Sequence, residues 1–401
     1  MTDLPDRFDF LLGKALRQAR GVARAIGSAL GDDPFEVLAH RGFGNGTRAY
    51  VYGRALEVQS VSVSTDSDST FRNLLNTYRR AEADPLPFAR LSIDYAGHST
   101  ACTADDEGFF TACIDVPPPS DDDEWNGYEV SLIAPLRPGV ERVTGKGEIL
   151  VPPATARFGV ISDIDDTVIQ SRVSNFIQAA RTVMLGNART RLPFPGVAAF
   201  YRALRKGAAG DEKNPIYYVS SSPWNIYDVI AEFMDIQKIP RGPLVLRDWD
   251  IGWNALMSSR HADHKSAAIR NIVQLHPEMQ FILIGDSSQQ DPEIYRRIVA
   301  EFPARVKAIY IRDVTLSAER SASVKKLANE VLAAGSTLVL VEHTLDAAKH
   351  ASAQGWIDAA ALPEIGEEKR ADEGRDESKA PAPAGGEPGP GKPPVVVGSS
   401  S

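Results

Sequence analysis

The stretch "GVISDIDDTVIQ", Gly159 to Gln170, places three aspartates within four residues, straight after an apolar run. Phe158 to Ser162 has the length and the unbroken apolar character of a strand buried on both faces. Asp163, Asp165 and Asp166 therefore emerge at its carboxyl end. Further apolar runs of strand length recur outward from it at "PIYYVS", "MQFILIG", "VKAIYIR" and "STLVLVE". Helical stretches such as "PGVAAFYRALRKG", "NIYDVIAEFMD" and "HKSAAIRNIVQLH" lie between them. Strands alternating with helices predict a doubly wound α/β domain, a parallel sheet covered on both faces. Ligands of such a sheet sit outside the carboxyl ends of its strands, where these aspartates fall.

Crowded carboxylates raise one another's pKa unless a cation offsets the repulsion. Mg²⁺ suits them, as a hard cation held by carboxylates, waters and phosphate oxygens. A polar turn is the plain alternative, since Asp is common in turns. An EF-hand fits poorly, because its Gly and closing Glu are absent from a twelve-residue frame. The later strands bear on the choice. "YYVSSSPWN" ends a strand with Ser220, Ser221 and Ser222. "FILIGDSSQQDPEIY" ends another with Asp286, and Asp291 follows five residues on. Lys265, in "HADHKSAAI", stands at the start of the helix before that strand. Taken singly these are a helix cap, two turn residues and a solvated charge. Taken together, at successive strand ends, they point to one site.

The ordered set resembles the haloacid dehalogenase superfamily of phosphotransferases, over roughly residues 157–341. Asp163, Asp165 and Thr167 match its Asp-x-Asp-x-Thr motif. Ser220 best matches the Ser or Thr that ends the second motif's strand, Lys265 the third motif, and "GDSSQQD" the acidic pair of the fourth. In finer detail "SDIDDTV", "YYVSSSPWN", "GPLVLRDW", "HKSAAI" and "LIGDSSQQDPEIY" resemble the catalytic domain of the actin-patch-associated phosphatidate phosphatase family. That is a Mg²⁺-dependent branch acting on phosphatidic acid, and in members of this layout a β-rich region precedes the catalytic domain.

The resemblance implies a phosphoric monoester hydrolase. Asp163 would be the nucleophile and Asp165 the general acid and then base, with Ser220, Ser221 and Lys265 at the phosphoryl group. Mg²⁺ would be held by Asp163, by Asp165 through its backbone carbonyl, and by Asp286. Asp291 would orient Lys265 or complete the metal's surroundings. Thr167 would shape the turn after the nucleophile, and Asp166 would cap a turn or helix. Ser171 to Gly196 is the interval where a cap sits in the superfamily. It reads as a short helix and loop, which implies an open site. Trp224, Trp249 and Trp253 fall near the rim by sequence, as contacts for acyl chains or as core.

The chain has 401 residues, 43% apolar and 24% charged, enough for two or three domains. A net charge of −9 gives no global signal for nucleic acid. No run of about 18 uncharged apolar residues suggests a membrane span. The N-terminal stretch lacks the pattern of a signal peptide, and there are two cysteines, so a cytoplasmic location is expected. Cys102 and Cys113 read as small core residues, or as a pair across a hairpin.

Residues 1–34 hold one amphipathic helix, over 8–30, with Phe8, Leu11, Leu12, Ala15, Leu16, Ala19, Ala23 and Ile26 on one face. Lys14, Arg17, Arg20 and Arg24 lie on the other, as a solvated side or as a peripheral contact with an anionic membrane. Residues 35–152 read as a small antiparallel β-sandwich-like domain, with a helical insert from Ser69 to Glu82 and Pro152–Pro153 at its exit. The phosphatase domain spans 153–361. Residues 362–401, rich in Pro, Gly, Glu and Ser, are expected to be disordered. Three functions follow in order: a Mg²⁺-dependent phosphatidate phosphatase at a membrane surface, a phosphatase of the same mechanism on a soluble phosphomonoester, and a β-sandwich binding protein with an inactive α/β domain.

Overall fold

The computed structural model describes residues 33–58, 83–115, 123–140, 142–168, 194–247, 261–314, 318–377 and 395–396. The expected helices at 8–30 and 69–82, nearly all of the 171–196 interval, Trp249, Trp253 and most of the tail lie outside them. Two compact units divide between Val151 and Pro152.

The first unit is β-rich. Its strands are β1 (Phe35–Ala39), β2 (Gly42–Gly44), β3 (Arg48–Glu57), β4 (Asp84–Pro85), β5 (Arg90–Tyr95), β6 (His98–Thr103), β7 (Phe109–Asp115), β8 (Trp125–Ala134) and β9 (Thr144–Leu150). All nine join one hydrogen-bonded sheet, in the order β1-β3-β2-β9-β8-β5-β6, with β4 and β7 also paired to β3. Alternate residues point inward, so that Ala49, Val51, Leu91, Ile93, Val130 and Ile149 are buried in one core.

Three features differ from the sequence reading. Pairing is antiparallel except between β2 and β9, which run parallel. Gly42 permits the close approach of β2 to its antiparallel neighbour β3, since a Cβ there would lie 2.4 Å from the Tyr50 carbonyl oxygen. Strands β6 and β9 carry polar and glycine-rich sequence, and their pattern is too weak to be read alone. Cys113 faces solvent, because Phe110, Ala112 and Ile114 take the inward positions of β7. Cys102 is partly buried against the core, and neither cysteine is in a disulfide. The turn between β6 and β7 is held by Asp105, whose Oδ1 accepts from the amides of Glu107 and Phe109 at 2.9 Å each.

The second unit is α/β. Its strands are β10 (Gly159–Asp163), β11 (Ile216–Pro223), β12 (Leu244–Arg247), β13 (Phe281–Asp286), β14 (Val306–Arg312), β15 (Thr337–Val341) and β16 (Val395–Val396). The helices are α1 (Val197–Lys206), α2 (Tyr227–Ile236), α3 (His261–Leu275), α4 (Asp291–Glu301), α5 (Ala318–Ala333), α6 (Thr344–Ala353) and α7 (Leu362–Glu377). The sheet order is β12-β11-β10-β13-β14-β15-β16, parallel except for β16. Strands β10 and β13 are buried throughout, as their unbroken apolar runs predict. The chain moves from β10 to β11 and β12 on one side, then to β13, β14 and β15 on the other. The carboxyl ends of β10, β11 and β13 therefore border the point where strand order reverses, where such sheets bind ligands.

Helix α7 corrects the expectation of disorder from residue 362. Its Ile365 is fully buried. Glu368 accepts from the Ala199 amide at 2.8 Å, and Asp372 accepts from the Gly196 amide at 3.0 Å. The N-terminus of α1 has no side-chain cap of its own, so α7 satisfies amides that the helix leaves open. Composition suggested solvation, but these acids have a specific structural use.

Candidate active site

Asp163 ends β10, and its carboxylate is buried. Lys265, in the second turn of α3, donates from Nζ to Asp163 Oδ1 at 2.8 Å and to Asp291 Oδ1 at 2.5 Å. Thr167 donates from Oγ1 to Asp163 Oδ2 at a long 3.3 Å. One ammonium thus holds the acids of two elements together, and Oδ2 is the less committed oxygen of Asp163. The backbone of Asp163 is fixed as well. Ser162 Oγ donates to the Asp163 carbonyl at 2.7 Å, so it accepts from Tyr201 Oη, also at 2.7 Å.

Asp286 ends β13 and is fully buried. Its Oδ1 accepts from the amides of Ser288 at 2.6 Å and Gln289 at 3.2 Å, and from the Ser288 hydroxyl. Its Oδ2 is buried with no hydrogen-bond partner among the described residues. Asp291 opens α4, and its Oδ2 accepts from the Asp286 amide at 3.2 Å. Gly285 makes room for it, since a Cβ there would lie 2.4 Å from Asp291 Oδ2. Asp163, Asp286 and Asp291 offer carboxylate oxygens within 4.8 Å of one another. A buried carboxylate oxygen without a donor costs several kcal/mol by order of magnitude unless a cation meets it. All three donors are oxygens, so the cluster fits a hard divalent cation.

Asp165 lies apart from that cluster. Its Oδ2 accepts from Ser220 Oγ at 2.7 Å and from Ser222 Oγ at 3.3 Å, which ties it to the end of β11. Ser220 is buried and in turn accepts from the Ser222 amide at 2.9 Å. Ser221 is partly exposed beside it. Asp166 takes a left-handed φ of 57° in the turn, which Asp tolerates better than most residues. Trp224 is buried, its ring stacked on Tyr227 with centroids 5.9 Å apart.

The acids oppose one another's ionisation. Burial pushes the Asp163 carboxyl up, Lys265 opposes this, and Asp291, Asp165 and Asp286 add to it. Burial raises Asp165 too, against its bonds from Ser220 and Ser222 and the charge of Lys265. Asp286 is pushed up to about 6 by burial and Asp291, against its bonds from Ser288. Burial would lower Lys265, but Asp163 and Asp291 hold it above the usual lysine range, so it stays cationic. A divalent cation would reverse the direction for the carboxylates it touched.

Sequence reasoning missed two contributors. Ser222 reaches Asp165, and Ser221 does not. Arg320, on α5, donates to the Ser287 carbonyl at 2.8 Å and the Gln289 carbonyl at 2.5 Å. It thereby holds the loop whose amides meet Asp286. Nothing in the local sequence links α5 to that loop.

Comparison with known proteins bears on the α/β unit. Residues 158–313 match the family model described as "Phosphatidate phosphatase APP1, catalytic domain". The phosphatidate phosphatase APP1 of Saccharomyces cerevisiae is 31% identical over 156 residues, 39% of this chain and 26% of that protein. An uncharacterised protein of Schizosaccharomyces pombe is 30% identical over 159 residues, 39% of this chain and 25% of that protein. The matched region spans about a quarter of each relative's length. Among solved structures, a carbohydrate acetylesterase of Xanthomonas citri aligns with a TM-score of 0.23 at 12% identity, over 67% of this chain and 65% of that one. A score that low carries no argument about fold. The resemblance read from the motifs is thus found independently, over residues 158–313.

Proposed function

We propose that the α/β unit, as a match to that catalytic domain, is a Mg²⁺-dependent phosphatase of the haloacid dehalogenase type whose substrate is phosphatidic acid. The observation that carries the reading is the buried trio Asp163, Asp286 and Asp291, joined by Lys265, with one Asp286 oxygen left without a donor. The substrate is proposed from the relatives. The reversal of strand order at β10 agrees with a doubly wound sheet. No helix among the described residues is long and apolar enough to cross a membrane. The proposed contact with lipid is therefore peripheral, and the proposed location is cytoplasmic.

The chemistry runs through this chain's own side chains. A carboxylate oxygen of Asp163 attacks phosphorus, and an O–P bond forms as the bond to the lipid alkoxide breaks. Asp165, whose proton burial favours, gives that proton to the departing alkoxide. Water then attacks the phosphorus of the Asp163 aspartyl-phosphate, giving a proton to Asp165 as the O–P bond to Asp163 breaks. Phosphate leaves and both acids are regenerated. Ser220 exchanges its bond to Asp165 for a phosphoryl oxygen. Lys265 keeps positive charge on Asp163 and on the phosphoryl group. Mg²⁺, held by Asp163 and Asp286 with Asp291 beside them, would supply charge neutralisation where two anions meet.

The test is phosphate release from phosphatidic acid in detergent micelles, with Mg²⁺ and with EDTA, alongside a soluble phosphomonoester. Wild-type protein should release phosphate from the lipid only with Mg²⁺. Release from the soluble ester alone would move the substrate. No metal-dependent release from either would leave a binding protein with an inactive α/β unit.

A further inference from the structure

Arg312 ends β14, directly in register with Asp286 on β13. Its residue surface is only 9% exposed, yet among the described residues no carboxylate pairs with it. Nη2 donates to Thr344 Oγ1 at 2.6 Å, and Nε is buried without a partner. The guanidinium lies over the Phe194 ring, 4.1 Å from its centroid. Phe194 is where the described chain resumes after residues 169–193, and its amide donates to the Val168 carbonyl at 3.1 Å. Arg312 and Thr167 also line one small cavity of about 20 Å³, and Thr167 is the donor to Asp163.

A buried guanidinium with no carboxylate is costly, and a neutral side chain of similar volume would spare the desolvation. Burial lowers its proton affinity to about 10, and Tyr201 and Asp286 oppose that fall, so the group remains charged at neutral pH. The site itself sets four acids against one lysine. A second fixed cation beside Asp286 would therefore act on the net charge that an incoming phosphate meets.

We propose that Arg312 is a positioning residue of the phosphatase site. It supplies fixed positive charge beside Asp286 and, through Phe194, anchors the chain where it returns from the 169–193 interval. The proposal rests on the phosphatase reading. Its two expected effects have opposite signs. The guanidinium repels a divalent cation on the carboxylates, and it favours an anionic phosphoryl group in the transition state.

The experiment compares the full chain with Arg312→Met and Arg312→Lys. Mg²⁺ affinity is read by calorimetry without substrate, and kcat and KM are read on phosphatidic acid micelles and on p-nitrophenyl phosphate. Arg312→Met should bind Mg²⁺ several-fold more tightly while kcat falls by about tenfold to a hundredfold, the size of activity loss when a group behind the direct ligands is removed. Arg312→Lys should return Mg²⁺ affinity to the wild-type value. It should recover only part of kcat, because an ammonium cannot stack on Phe194 as a planar guanidinium does. Unchanged or weaker Mg²⁺ binding in Arg312→Met, or no recovery in Arg312→Lys, would overturn the proposal. Should Arg312→Met not fold, Arg312→Gln carries the same comparison. If wild-type protein binds Mg²⁺ but hydrolyses neither ester, the phosphatase reading fails, and the calorimetry alone still decides the role of Arg312.

Discussion

Lys265 is the residue on which the site's electrostatics turn. Its ammonium is buried between Asp163 and Asp291, and each would otherwise face the other's charge in a poorly solvated place. Removing one partner of a buried pair costs about 3–5 kcal/mol, because the other is left uncompensated. Lys265→Met should therefore lower the stability of the metal-free protein by about that amount, with Mg²⁺ restoring part of it. Its kcat should drop by at least about a hundredfold, the size of a lost oxyanion donor. Urea unfolding with and without Mg²⁺, beside steady-state kinetics, reads both effects. Equal stability with and without Mg²⁺ would speak against metal binding at the trio. At this scale the acids and the lysine were legible, because each follows an apolar strand or opens a helix. Ser222, Arg312 and Arg320 were not. Their roles depend on contacts between strands and helices distant in sequence, and no local pattern encodes those.

Among the elements, α7 shows how composition misleads. "LPEIGEEKRADEGRDE" has the charge of a solvated tail. Yet Glu368 and Asp372 meet the open amides of α1, and Glu368 also pairs with Arg202 at 2.6 Å. A helix cap is worth about 1 kcal/mol. Glu368→Ala with Asp372→Ala should thus lower stability by about 2 kcal/mol, as a shift of the urea midpoint at unchanged slope. An unchanged midpoint would mean that water serves those amides equally well. Helix α1 also carries Tyr201, which bonds Ser162 behind Asp163. Loosening the cap should therefore reach the site as a modest loss of activity. The strands were easier to read, since β10, β13 and β14 are buried runs with no polar face to blur them.

Over the whole molecule, the two units differ in how far sequence goes. The α/β unit announced itself through motifs at strand ends, and strand order then explains why those ends meet. The β-rich unit gave its stronger strands through alternation. Its three-residue β2 runs parallel to β9 and packs tightly on β3 through Gly42, which reads in isolation like any turn residue.

The central claim is that Asp163 takes the phosphoryl group, and trapping that adduct tests it most directly. Wild-type protein would be mixed with ³²P-labelled phosphatidic acid and Mg²⁺, quenched in acid within one turnover, and digested. The account predicts acid-stable label on the peptide containing Asp163, and none in Asp163→Asn. Turnover without trapped label at any quench time, or label on a different residue, would contradict it.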